Sequence, residues 1–400
     1  MSESRFLHAL NYCMVLPGPE AMQLATYIGW LMHRTAGGIA AGVLFVLPSV
    51  FILIALAWVY LVWGDVLLVA GLLYGIKPAV VAIVLVAAWR IGSRALRHRA
   101  LWALAAAAFV AIFAFGVPFP AIVLAAGLVG FFGGRFAPQV FESQATHGLA
   151  ARTAGPARID DGAPAPERAR FTWTRLARAV GAGLAIWAAA IGALAALFGW
   201  ESTLTQMAWF FTKAALVTFG GAYAVLPYVY QAAVADFGWV TAAQMMDGLA
   251  LGETTPGPLI MIVAFVGFVG AWGAQVFGSQ APALAGIAGG VVAAFFTFLP
   301  SFIFILAGAP FVETSRRNLR VSAPLTAVTA AVVGVIANLA LFFAWHVLWP
   351  RGWTGGFEWV SAAIGAAALA ALFRFRSGII PVVGACAAAG LAVALASAPA

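Results

Sequence analysis

Two Pro-Gly-Pro triplets, Pro17-Gly18-Pro19 and Pro256-Gly257-Pro258, interrupt long apolar runs of this 400-residue chain. Proline lacks an amide donor and clashes with the preceding turn, so each triplet splits its segment into two half-helices. The half-helix that starts after a break presents unbonded N–H groups and the positive end of its dipole. Irregular backbone at membrane depth survives only beside protein or a wet cavity. Two such ends, one from each half of the chain, predict an anion-binding site near the membrane midplane.

Polar residues gather around the breaks. Glu20 and Gln23 follow the first triplet, and Glu253, Thr254 and Thr255 precede the second. The two glutamates read as ion partners for a lysine or as protonatable coupling groups, and Glu20 also reads as an ordinary stabiliser of a helix start. Lys213 stands about one and a half turns before Thr218-Phe219-Gly220-Gly221 in the run WFFTKAALVTFGG. That glycine pair either exposes backbone amides as the triplets do or permits close helix packing. Lys77 and Asn338 are candidates for coupling or gating, and Lys77 equally suits a side chain reaching for the headgroups. The candidate substrate-binding set is therefore Pro17, Gly18, Pro19, Glu20, Gln23, Lys213, Thr218, Phe219, Gly220, Gly221, Glu253, Thr254, Thr255, Pro256, Gly257 and Pro258.

The elements that must carry these residues are membrane helices. Hydrophobic residues make up 64% of the chain and charged ones 8%, with a mean hydropathy of +1.01, far from the balance of soluble domains. Spans of about 20 apolar residues can be laid over nearly the whole chain, which predicts an all-α polytopic bundle of about 12 helices rather than a β-barrel. The formal charge of +8 comes from arginines in short loops, as the positive-inside rule requires, so it reports topology and not a nucleic-acid partner. The bilayer itself is the expected environment. Cys13 and Cys386 lie in apolar runs without metal-ligand spacing and read as packing residues. HExxH, GxSxG, Walker A and His/Cys clusters are all missing from the sequence, so neither an enzyme, a metal nor another cofactor is expected.

The first spans are predicted over 6–33, broken by the triplet, and then over 37–63, 66–89, 101–115 and 119–136. Residues 138–173, rich in Pro, Ala and Arg, read as a cytoplasmic linker. The rest divides into 176–200, 207–233, 242–276 with the second triplet, 283–307, 324–348, 357–373 and 378–396. Arg90 to Arg99, the linker arginines and Arg316 to Arg320 all fall on the cytoplasmic side by parity.

The halves repeat. Pro256 follows Pro17 by 239 residues (256 − 17), while Leu299-Pro300-Ser301 follows Leu47-Pro48-Ser49 by 252 (299 − 47). The difference of 13 residues (252 − 239) is assigned to a longer loop around Gly278 to Gly286. Equivalent loops face opposite sides, so the organisation is an N-terminal repeat over 1–137, the linker, and a connecting helix plus inverted C-terminal repeat over 174–400. The first repeat has no counterpart of the helix bearing Thr218-Phe219-Gly220-Gly221, which leads us to expect that the sequence lacks a first helix of the natural protein.

FLHALNYCMVLPGPEAMQLATYIGW, KAALVTFGGAYAVLPYV and MMDGLALGETTPGPLIMIVAFVGF together resemble the chromate ion transporter (CHR) family in its long, two-domain form, along essentially the full chain. The resemblance implies a multi-pass protein of the bacterial inner membrane that exports chromate, a tetrahedral oxyanion like sulfate, by a secondary active mechanism and confers chromate resistance. Sulfate or another oxyanion is the alternative cargo, a membrane-embedded enzyme or scaffold is the alternative class, and a homodimer is compatible with the reading.

Overall fold

The computed structural model describes residues 6, 9–10, 12–14, 16–141, 172–219, 222–314 and 322–397. Among them the chain is helical, with no strand. The longer helices are α1 (Glu20–Trp63), α2 (Leu67–Ala95), α3 (Arg99–Phe115), α4 (Phe119–Phe136), α5 (Trp173–Phe198), α6 (Thr203–Leu216), α7 (Ala222–Tyr230), α8 (Ala242–Thr254), α9 (Ile262–Gly273), α10 (Pro282–Thr314), α11 (Ser322–Leu348), α12 (Trp359–Phe373) and α13 (Ile379–Ser397). Seven helices among the described residues are long and apolar enough to cross a membrane, with three shorter apolar ones beside them. Large apolar side chains such as Leu44, Phe51, Phe113 and Leu124 are left exposed, as a lipid-facing surface requires. Trp345, Trp349, Trp353, Phe357 and Trp359 pack ring against ring where α11 gives way to α12, the composition of a membrane–water interface. The chain is a polytopic all-α membrane protein.

Helix ends follow local chemistry. Thr241 caps α8 in a reciprocal box, its hydroxyl accepting from the Gln244 amide at 3.2 Å while its own amide donates to Gln244 Oε1 at 2.8 Å. The Ser202 hydroxyl accepts from the Thr205 amide at the start of α6.

Helix α1 is two helices. His33 and Arg34 leave helical geometry, Arg34 with φ 60° and ψ −157°. Beyond them the chain folds back, so that a Cβ on Gly29 would lie 2.7 Å from the Ala41 side chain. In a straight helix those residues would be about 18 Å apart. The part of the predicted span 6–33 that follows the triplet, from Glu20 on, and the start of the span 37–63 are thus the arms of an antiparallel hairpin. The second half builds the same hairpin from α9 and α10, where Gly267 faces Gly289 and Ala293 as Gly29 faces Gly37 and Ala41.

Between Pro258 and Gly267 the register of the two hairpins slips by one residue, because Gly267 follows Gly29 by 238 residues (267 − 29). In that interval the second half has the tighter 3-10 turn Leu259–Met261. The extra residues of the second hairpin are shared between a turn at 274–281 and longer helical arms, since Gly286 already lies in α10 against Phe268.

The predicted span 207–233 is broken. Helix α6 stops at Leu216, and α7 runs on into a π-helical turn, Gln231–Asp236. The linker and the arginines from Arg316 to Arg320 lie outside the described residues, apart from the linker's two ends.

Two compact units cut across the halves. One takes Met1–Leu47, Pro120–Val225 and Phe295–Thr329; the other takes Pro48–Phe119, Leu226–Ala294 and Ala330–Ala400. Each therefore holds one Pro-Gly-Pro triplet together with the Leu-Pro-Ser serine of the opposite half. The first unit buries Tyr27, Phe210, Phe211 and Phe296. The second buries Phe265, Phe268 and Phe343, and within it α2 packs along α12 and α13.

Candidate functional site

In the first unit the triplet turns sharply, with Gly18 at φ 123°, a conformation in which side chains are strained. The Gly18 amide donates to the Thr218 carbonyl at 2.8 Å. The break after α6 is therefore a structural partner of the first triplet, and Thr218 is held in place by its hydroxyl, which donates to the Ala214 carbonyl at 2.6 Å. Gln23 is fully buried and its Nε2 donates to the Pro17 carbonyl at 2.8 Å. Ser301, also fully buried, faces Gly18 so closely that a Cβ there would collide with its Oγ. Gln23 Oε1 and Ser301 Oγ have no hydrogen-bond partner among the described residues.

This turn is closed. Gly18 and Pro19 are buried, and Glu20 places a carboxylate in the first turn of α1, where it offsets the positive helix end. Phe219 is half-buried beyond Thr218, while Gly220 and Gly221 lie outside the described residues. Lys213 is half-buried, its ammonium 5.8 Å from the centre of the Trp209 ring.

The second unit has the open version. Gly257 takes φ 133° and faces Ser49, whose hydroxyl donates to the Pro256 carbonyl. Pro256 and Gly257 are exposed. The first helical bond after the triplet runs from the Met261 amide to the Pro258 carbonyl at 2.9 Å, so the Leu259 and Ile260 amides precede it. Among the residues of that first turn none is acidic. The hydroxyls of Thr254 and Thr255 donate back to the carbonyls of Leu251 and Gly252, both at 2.9 Å, which leaves them only acceptor lone pairs to offer. Glu253 is half-buried at the end of α8.

Also in this unit, Lys77 pairs with a residue the sequence reading passed over. Its ammonium lies 3.5 Å from Oδ2 of Asp247, and the same oxygen accepts from the Tyr60 hydroxyl at 3.0 Å. The Asp247 side chain is 3% exposed against 31% for Lys77. Among the described residues the carboxylate paired with Lys77 is that of Asp247. Asn338 is half-buried in α11. An Asp within the apolar run MMDGLALGET was a legible signal, since a charge in such a run is costly enough to need a reason.

Broken helices and an intramembrane ion pair inside an apolar helical bundle are features of membrane transporters. The sequence profile described as "Chromate transporter" matches residues 1–131 and 205–391, and the chain belongs to that family. It is 33% identical over 348 residues to a chromate transport protein of Pseudomonas aeruginosa, covering 86% of this chain and 72% of that one. Identity is 28% over 347 residues to the chromate transport protein of Cupriavidus metallidurans, with coverages of 86% and 74%. A probable chromate transport protein of Synechococcus elongatus is 28% identical over 340 residues, covering 84% of this chain and 74% of that one. No solved structure matches the chain. Family membership makes this a transporter, not an enzyme.

Proposed function

We propose that the chain exports chromate across the bacterial inner membrane as a secondary active transporter and so confers chromate resistance. The observation that carries the reading is the exposed Pro256-Gly257 turn, followed by amides that precede the first helical bond and by no carboxylate. A tetrahedral dianion suits that positive helix end. The first triplet, closed by the Thr218 carbonyl and offset by Glu20, serves as its structural counterpart. Residues 1–137 and 174–400 act as inverted repeats joined by a cytoplasmic linker, and movement of one repeat against the other gives alternating access.

Inverted membrane vesicles energised by respiration should accumulate labelled chromate when they contain the protein and not otherwise. Equal uptake in both would overturn the proposal. Sulfate is the second reading because it shares the charge and shape of chromate; competition by unlabelled sulfate at comparable concentration would favour it.

A further inference from the structure

Asp247 and its partners form the buried ion pair of the second unit. The pair is lopsided: Oδ2 is shared by Lys77 and Tyr60, whereas Oδ1 is buried with no hydrogen-bond partner among the described residues. An ionised carboxylate with one bare oxygen in an apolar bundle is costly, and a proton on that oxygen would remove the charge. It would also remove the main hold on Lys77, whose ammonium is only partly buried and so can turn to another anion.

Few other groups compete for this role. Helix α8 packs against α2, α9, α13 and the turn Leu259–Met261. Neither α9 nor that turn carries a titratable side chain, and α13 carries only Cys386, whose carbonyl lies against Gly75. On α2, Tyr74 donates to Glu358 at 3.2 Å, and Arg90 and Arg94 lie about 20 Å or more beyond Lys77 along the helix. Asp65 is exposed in the turn between α1 and α2. On α8 itself Glu253 follows six residues later (253 − 247), about 9 Å along the axis. Lys77 and Tyr60 are the groups that touch the carboxylate.

We propose that Asp247 is the proton-coupling residue: a proton taken from water onto Oδ1 frees the Lys77 ammonium for the oxyanion, so that one proton travels with each anion. The inference rests on the transport reading above. A dianion accompanied by one proton carries a single net negative charge, which an interior-negative membrane potential still drives outward.

The test uses the full chain in proteoliposomes with a trapped pH indicator. Wild type should exchange labelled for unlabelled chromate at equal pH, and net chromate flux should carry protons in the same direction. No exchange by wild type overturns the transport reading itself; exchange with net flux that moves no protons overturns the coupling proposal alone. Asp247→Asn should remove the proton flux that accompanies chromate, and a wild-type ratio of protons to chromate in this variant overturns the proposal. Should that variant carry no chromate, Tyr60→Phe decides. Removing a donor to the ionised carboxylate eases its protonation, so the pH midpoint of chromate binding should rise relative to wild type. An unmoved midpoint overturns the proposal, and the ionisation of chromate itself cancels because both proteins see the same anion.

Discussion

The Gly18 amide is bound by the carbonyl of Thr218, a residue 200 positions later (218 − 18), at 2.8 Å. A break in the second half thereby closes the triplet of the first. The serines obey the same exchange, with Gly18 facing Ser301 and Gly257 facing Ser49.

Replacing Gly257 with Val should abolish chromate transport while leaving membrane insertion intact. The backbone at φ 133° disfavours any side chain, and the added carbons would collide with the Ser49 hydroxyl that fixes the Pro256 carbonyl. Vesicle uptake beside the amount of protein in the membrane fraction checks it; retained uptake would remove this turn from the site.

The two repeat-related serines should respond differently to Ala. Ser49→Ala loses a hydrogen bond to the Pro256 carbonyl and should cost about 1 kcal/mol. Ser301→Ala removes a buried hydroxyl with no partner among the described residues and should be neutral or stabilising. Thermal unfolding in detergent distinguishes them, and equal losses would contradict the difference between the turns.

Lys77→Met leaves the Asp247 carboxylate buried without its cation. Breaking a fully buried pair costs about 3–5 kcal/mol. With the Lys77 side chain 31% exposed, roughly half of that is expected. The double variant Lys77→Met with Asp247→Asn should recover most of the loss, because no unpaired charge remains. A double-variant cycle by thermal unfolding would show additivity if the pair did not matter.

Gly75→Val should loosen α13 from α2. Gly71 and Gly75 stand four apart on α2 and receive Leu391, Ala394, Gly390 and the Cys386 carbonyl of α13 at backbone distance. Overpacking such a contact costs about 1–3 kcal/mol. Faster proteolysis within Ile379–Ser397 is the expected readout, and unchanged cleavage would sink the idea.

Chain breaks and apolar spans were legible because they rest on local chemistry. Proline and glycine constrain their own backbone, and apolar length declares a membrane helix wherever it occurs. Even the reversal inside α1 was legible, from His33, Arg34 and the glycines that follow. The break after Leu216 was visible only as an alternative, since a glycine pair serves equally well for packing.

The sequence by itself determined the class of protein and the positions of both triplets, set by residues close together along the chain. Only the tertiary structure decided that Thr218 belongs to Gly18, that Ser49 belongs to Pro256, and that Lys77 belongs to Asp247. Those pairings join residues between about 170 and 207 positions apart. In an apolar medium a buried polar group takes whichever partner the packing of helices brings within reach, and no local pattern encodes that choice.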